Sequence, residues 1–133
     1  TPSRLHTLDT DFSLSGLKTL PAVDIIYDHQ GAGLHLYEAS IQAGVQGIVI
    51  AGTGNGSLSP QAEKGAKLAV QHHIVCVRGS RTGSGVVSRL QRDRKRGFVS
   101  ADSLNPQKAR ILLMLALTTT RDRDVIQSYF DRY

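Results

Sequence analysis

The sequence predicts an α/β fold: a small doubly wound domain with a four-stranded parallel sheet and helices on both faces. Three observations lead there. Short runs that are apolar at almost every position recur along the chain, as strands covered on both faces require. Between them lie stretches whose apolar residues fall at helical spacing. Two of those stretches open on a polar cap followed by proline, Ser59-Pro60 and Asn105-Pro106, which marks a helix start. Strands alternating with helices build βαβ units, and these assemble into a parallel sheet.

Residues 1–20 are polar and mixed, with no sustained period, and are expected to form an interdomain linker ahead of a domain spanning 21–133. Val23-Asp-Ile-Ile-Tyr27 is rich in β-branched and aromatic residues and predicts the first strand. Residues 34–43 carry Leu34, Leu36, Tyr37, Ala39 and Ile41 near helical spacing, with Gly44 as a stop. Gly47-Ile-Val-Ile-Ala51 is the second strand. The helix opened by Ser59 should run through Ala66 and Ala69 to about Gln71, and Ile74-Val-Cys-Val77 should follow as the third strand. The polar, glycine-bearing stretch 79–97 is long for a loop in a compact domain, which suggests function or mobility. Phe98-Val99 begins a short fourth strand. In the helix after Asn105-Pro106, residues 111–117 are apolar on nearly every side, predicting burial on more than one face. Asp122 should cap an amphipathic last helix over 125–133.

A length of 133 residues suits one domain, and 40% apolar content suits a packed core. No apolar run approaches the ~20 residues that cross a bilayer, and no signal-peptide pattern is present within these residues. The one cysteine, Cys76, cannot form an internal disulfide and reads as a small buried core residue. The net charge of +5 is concentrated: nine basic residues face one acid, Asp93, between Lys64 and Ala101. The densest part runs from Arg89 to Arg96. It lacks interleaved aromatics, so a solvated loop is favoured over a nucleic-acid surface.

Ligands of an open parallel sheet collect beyond the carboxyl ends of its strands. There the sequence places Ala51-Gly-Thr-Gly-Asn-Gly-Ser57, whose alternate glycines permit close backbone approach. Asn55 offers a donor and an acceptor suited to a small amino-acid-like ligand. A purely structural glycine turn accounts for the segment equally well. A dinucleotide fingerprint does not, since Ser57 stands where its third glycine belongs and no acid follows at ribose-binding distance. No metal is expected, because His72-His73 are adjacent and there is no His-x-x-x-His pair or cysteine cluster. No cofactor is expected either. Thr82-Gly-Ser-Gly85 sits in a loop and is not a nucleophile elbow.

Four segments occur in order: Leu20-Pro-Ala-Val-Asp-Ile-Ile-Tyr27, Gly47-Ile-Val-Ile-Ala-Gly-Thr-Gly-Asn-Gly56, Ser80-Arg-Thr-Gly-Ser-Gly85 and Leu104-Asn-Pro-Gln-Lys-Ala-Arg-Ile-Leu-Leu-Met-Leu-Ala-Leu-Thr118. Together with the closing Ile126-Gln-Ser-Tyr-Phe-Asp-Arg-Tyr133, they resemble the C-terminal domain of bacterial type II L-asparaginases across residues 20–133. The resemblance implies a homotetramer that hydrolyses L-asparagine to L-aspartate and ammonia, with a periplasmic location favoured. It further implies that the catalytic threonines, lysine and aspartate belong to an N-terminal domain, in Thr-Gly-Gly-Thr and Gly-Thr-Asp-Thr motifs. Neither motif occurs in these residues, and Leu8-Asp-Thr-Asp11 is only a superficial echo. No catalytic residue is therefore assigned here, and the chain alone is expected to be inactive.

What the resemblance assigns to this domain is completion of a neighbouring subunit's substrate pocket, by Asn55 with Ser57 as a second contact. A glutamate in the loop before the Gly-Phe-Val strand would also grip the substrate's α-amino group. None occurs from Arg81 to Gly97, where Asp93 is the only acid and is flanked by Arg92, Arg94 and Lys95. The expected partners are thus L-asparagine and further copies of the chain, with no membrane or nucleic acid. The competing reading is a non-catalytic interaction module built on the basic 89–96 loop.

Overall fold

The computed structural model describes residues 20–28, 33–52, 58–80, 96–101 and 104–133. In chain order the elements are β1 (Val23–Tyr27), α1 (His35–Ala43), β2 (Gly47–Gly52), α2 (Pro60–Gln71), β3 (Val75–Ser80), β4 (Val99–Ser100), α3 (Pro106–Ala116) and α4 (Arg123–Arg132). All strand pairs are parallel and the sheet order is β1-β2-β3-β4. The α/β class, the single four-stranded sheet and the helices on both faces are as the sequence predicted.

Strand alternation sends side chains to two cores. On one face Ile26, Ile48, Ile50, Ile74, Cys76 and Phe98 pack against Tyr37 of α1 and Ala62, Ala66 and Ala69 of α2. On the other, Val23, Val49, Val75, Val77 and Val99 pack against α3 and, through Ile126 and Phe130, α4. Gly47 is small for a reason: a Cβ there would lie 2.7 Å from Leu113 Cδ2, so a larger residue would force the Leu113 side chain to shift.

The helix starts follow the caps. Ser59 Oγ accepts from the Ala62 amide at 3.1 Å, Asn105 Oδ1 from Lys108, and Asp122 from Asp124 and Val125. Gly44 closes α1 in the left-handed region at φ 76°. Three expectations need correction. β3 runs three residues beyond Val77, because its register with β2 continues through Ile50↔Arg78, Ala51↔Gly79 and Gly52↔Ser80. β4 is Val99–Ser100, with Phe98 preceding it. And α3 buries one stripe only, made of Pro106, Ala109, Leu112, Leu113 and Ala116, while Ile111 on the opposite side is 56% exposed. The sheet and α4 cover a single face of this helix, and its apolar composition exceeds what they bury.

Both sheet edges are tied to side chains. Arg110 Nε donates to the Val23 carbonyl of β1 at 2.7 Å. At the other edge, buried Gln127 of α4 accepts from the Ser100 amide at 2.9 Å and donates to the Ser100 carbonyl at 3.2 Å. The proposed linker over 1–20 lies outside the described residues except for Leu20.

Candidate functional site

Because every strand is parallel, Tyr27, Gly52, Ser80 and Ser100 end at one side of the sheet. Asn55 and Ser57 lie outside the described residues, as do residues 81–95, where the resemblance would place a glutamate. The flanks of the Asn55 segment are described, and they are closely held. Gly52 is buried at the end of β2. Beyond the segment, the Ser59 amide donates to Asp28 Oδ2 at 2.7 Å and the Ser59 hydroxyl donates to Asp28 Oδ1 at 2.7 Å. Asp28 itself follows β1, is 3% exposed, and donates its amide to the Ala51 carbonyl at 3.0 Å. A carboxylate accepting two hydrogen bonds beside the positive end of α2 is compensated for its burial.

Sequence reasoning missed Asp28. An aspartate after a strand looks like an ordinary turn residue, and its partner lies 31 positions away, beyond any local spacing rule. Arg78 was missed as well; it is buried on β3 opposite Ile50 and Ser100, at the carboxyl half of the sheet.

Behind this edge the interior is packed with apolar side chains. The Tyr37 ring packs on Gly65 of α2, and its buried hydroxyl has no hydrogen-bond partner among the described residues. Burial first, then the negative charge of Asp28 and then Cys76, push the Tyr37 hydroxyl well above its ordinary ionisation range. Burial alone pushes the Cys76 thiol up to about 12, so it stays protonated and is no nucleophile at neutral pH. Its Sγ lies 3.7 Å from the Ala66 carbonyl, in the core position expected for it.

The remaining features lie elsewhere. His72 caps the end of α2 and His73 follows at φ 64°. Among the described residues, no three of His, Cys, Asp and Glu converge as a metal site, and no helix is long and apolar enough to cross a membrane. Of the basic run 89–96 only Arg96 is described, and it forms an ion pair with Glu63 in the first turn of α2. A cavity of about 450 Å³ lies at the other end of the sheet, lined by Ile74 and Val75 at the start of β3 with His73, Arg121 and Arg123. Its arginines are engaged: Arg121 with Gln46, and Arg123 with the Phe98 carbonyl, Asp124 and Gln127.

Residues 22–130 match the family model described as the Glutaminase/Asparaginase C-terminal domain. The chain is 55% identical over 131 residues to "L-asparaginase 2" of Bacillus subtilis, covering 98% of this chain and 35% of that protein. It is 43% identical over 134 residues to a "Probable L-asparaginase periplasmic" of Haemophilus influenzae, covering 99% of this chain and 38% of that protein. Among solved structures, the probable cytoplasmic L-asparaginase of Campylobacter jejuni superimposes with a TM-score of 0.94 at 42% identity, over 98% of this chain and 43% of that one. The chain thus spans little more than a third of the curated relatives it matches. One relative is called periplasmic and the structural neighbour cytoplasmic, so similarity favours neither compartment, and the periplasmic expectation has no support.

Proposed function

Since the chain belongs to the Glutaminase/Asparaginase C-terminal domain family, we propose that it serves in hydrolysis of L-asparagine to L-aspartate and ammonia by completing the substrate pocket of a neighbouring subunit. Asn55 and Ser57 make the contact. The nucleophile comes from an N-terminal domain of a longer protein, and the assembly is a homo-oligomer. The observation that carries this reading is position. The Gly-Asn-Gly segment follows directly on the carboxyl end of β2, the side of a parallel sheet where ligands collect. Its residues carry amide and hydroxyl groups matched to an amino acid, and the relatives matched across it are named asparaginases.

These 133 residues hold neither threonine motif, and Cys76 is buried and protonated, which supports assigning the nucleophile elsewhere. The 133 residues by themselves release no ammonia under this reading. With no glutamate between Arg81 and Gly97, the substrate ammonium lacks one charge-assisted hydrogen bond, worth roughly 1.5–3 kcal/mol. Ammonia release from L-asparagine by the full-length protein tests the proposal. Asn55→Ala should raise KM or lower kcat by about tenfold, as loss of one good polar contact does. An unchanged rate constant and KM would remove Asn55 from the pocket.

A further inference from the structure

The amino end of the sheet holds a concavity lined by described residues. Val70, Ile74 and Val75 form an apolar floor, and His73, Arg121 and Arg123 stand around it. Its volume of about 450 Å³ lies within the roughly 300–1,000 Å³ of small-molecule sites. Among the described residues no aspartate or glutamate lines it. The acids next in sequence are committed elsewhere: Asp122 caps α4, and Asp124 pairs with Arg123 Nη1 at 2.9 Å. Arg123 is fixed further by the Phe98 carbonyl and Gln127. Arg121 differs. It is exposed, its hydrogen bond among the described residues goes to the neutral Gln46 Oε1 at 3.1 Å, and no carboxylate among them answers its charge. His73 is left-handed, at φ 64°, just past the end of α2, where glycine would sit without strain. The strained backbone keeps an imidazole at the cavity. We propose that this cavity binds a small organic anion: a carboxylate or phosphate held by Arg121 and His73, with its apolar body on Val70, Ile74 and Val75. The site lies at the far end of the sheet from the proposed substrate side, so it stands independently of the asparagine reading.

Neither half of such a site suffices alone. An ion pair at an exposed guanidinium gains little in water and is screened by salt, so a bare anion binds weakly. An apolar molecule gains from leaving water but offers nothing to the guanidinium. Joined in one ligand, the two halves support each other. The floor holds the anion where Arg121 can grip it with parallel N–H bonds, and Arg123, already fixed by its own partners, needs no ordering. Preference for an anion that carries an apolar body separates a built site from general attraction to a chain of net charge +5.

The test uses the full-length protein at physiological salt, with benzoate, phenyl phosphate, inorganic phosphate and benzyl alcohol as probes in titration calorimetry. Benzoate or phenyl phosphate should bind saturably, at about one per subunit and with Kd at or below about 1 mM; the tighter of the two identifies the headgroup. Inorganic phosphate and benzyl alcohol should each bind at least about tenfold more weakly, since each lacks one half of the ligand. Arg121→Gln should weaken the better probe about tenfold or more while leaving the fold intact, because the side chain is exposed. His73→Gly separates binding from structure. It relieves the left-handed backbone and should raise the denaturation midpoint, yet weaken binding at least about threefold. The proposal falls if neither organic anion binds saturably, or if inorganic phosphate or benzyl alcohol binds as tightly as they do. Parent-like binding in Arg121→Gln places the ligand elsewhere and overturns it too. Should Arg121→Gln not fold, His73→Gly decides alone, and parent-like binding there is the adverse result.

Discussion

At the level of single residues, Cys76 and Tyr37 make the fold sensitive to alkali. The thiol moves from an ordinary value of 9.0 in an unfolded chain to about 12 when buried, and the Tyr37 hydroxyl is raised above its ordinary 10.0. The native state keeps protons that the unfolded state gives up, so the contribution of these two groups is constant below about pH 9 and turns unfavourable as pH rises towards 12. The slope approaches about 1.4 kcal/mol per pH unit for the thiol while it is the only group differing. Urea unfolding at pH 7 to 10.5 should show the decline, and Cys76→Ala should flatten its early part; stability rising over that interval would contradict the assignment. Cys76 was legible in sequence because an apolar run surrounds it. Asp28 was not, because its meaning depends on where α2 begins in space.

At the scale of elements, α1 and α2 approach closely because Gly65 gives Tyr37 a place to lie. Replacing a helix-interior glycine by alanine ordinarily stabilises by about 1 kcal/mol. Here the new Cβ would sit inside the van der Waals envelope of the Tyr37 ring, a rigid neighbour anchored in the core. Gly65→Ala should instead destabilise by about 1–3 kcal/mol, the usual cost of overpacking. Chemical denaturation would decide it, and a gain in midpoint would mean that the helices separate freely. Helix starts were readable because Ser59-Pro60, Asn105-Pro106 and Asp122 encode them locally. The end of β3 was not, since Arg78, Gly79 and Ser80 have no strand-like pattern and are drawn in by β2. The one-sided burial of α3 was hidden for a similar reason: composition records how apolar a helix is, not what is available to cover it.

For the molecule as a whole, the fold class was legible in the alternation of apolar runs and capped helices. The assignment of Asn55 to a pocket rests on its place after β2 and on resemblance, since glycine turns are common and Asn55 has no distinctive local spacing. The outer side of α3 sets the solution behaviour expected of these 133 residues alone. Ile111 at 56% exposure, with Met114 and Leu115 partly covered, leaves an apolar strip on a helix that packs on its other side. Exposed strips of this kind favour association. Sedimentation over a range of concentrations should reveal reversible self-association that Ile111→Lys reduces. A strictly monomeric species at all concentrations would refute it.

The Gln127 contact with Ser100 also carries a consequence for assembly in time. The amide and carbonyl of Ser100 are satisfied by a residue made 27 positions later. During synthesis at about 5–20 residues per second, β4 emerges before the side chain that completes its bonding, so this edge stays open to stray strand pairing for a few seconds. Only when α4 docks is the edge sealed. The last helix is therefore the step that commits the nascent sheet to remain four strands wide.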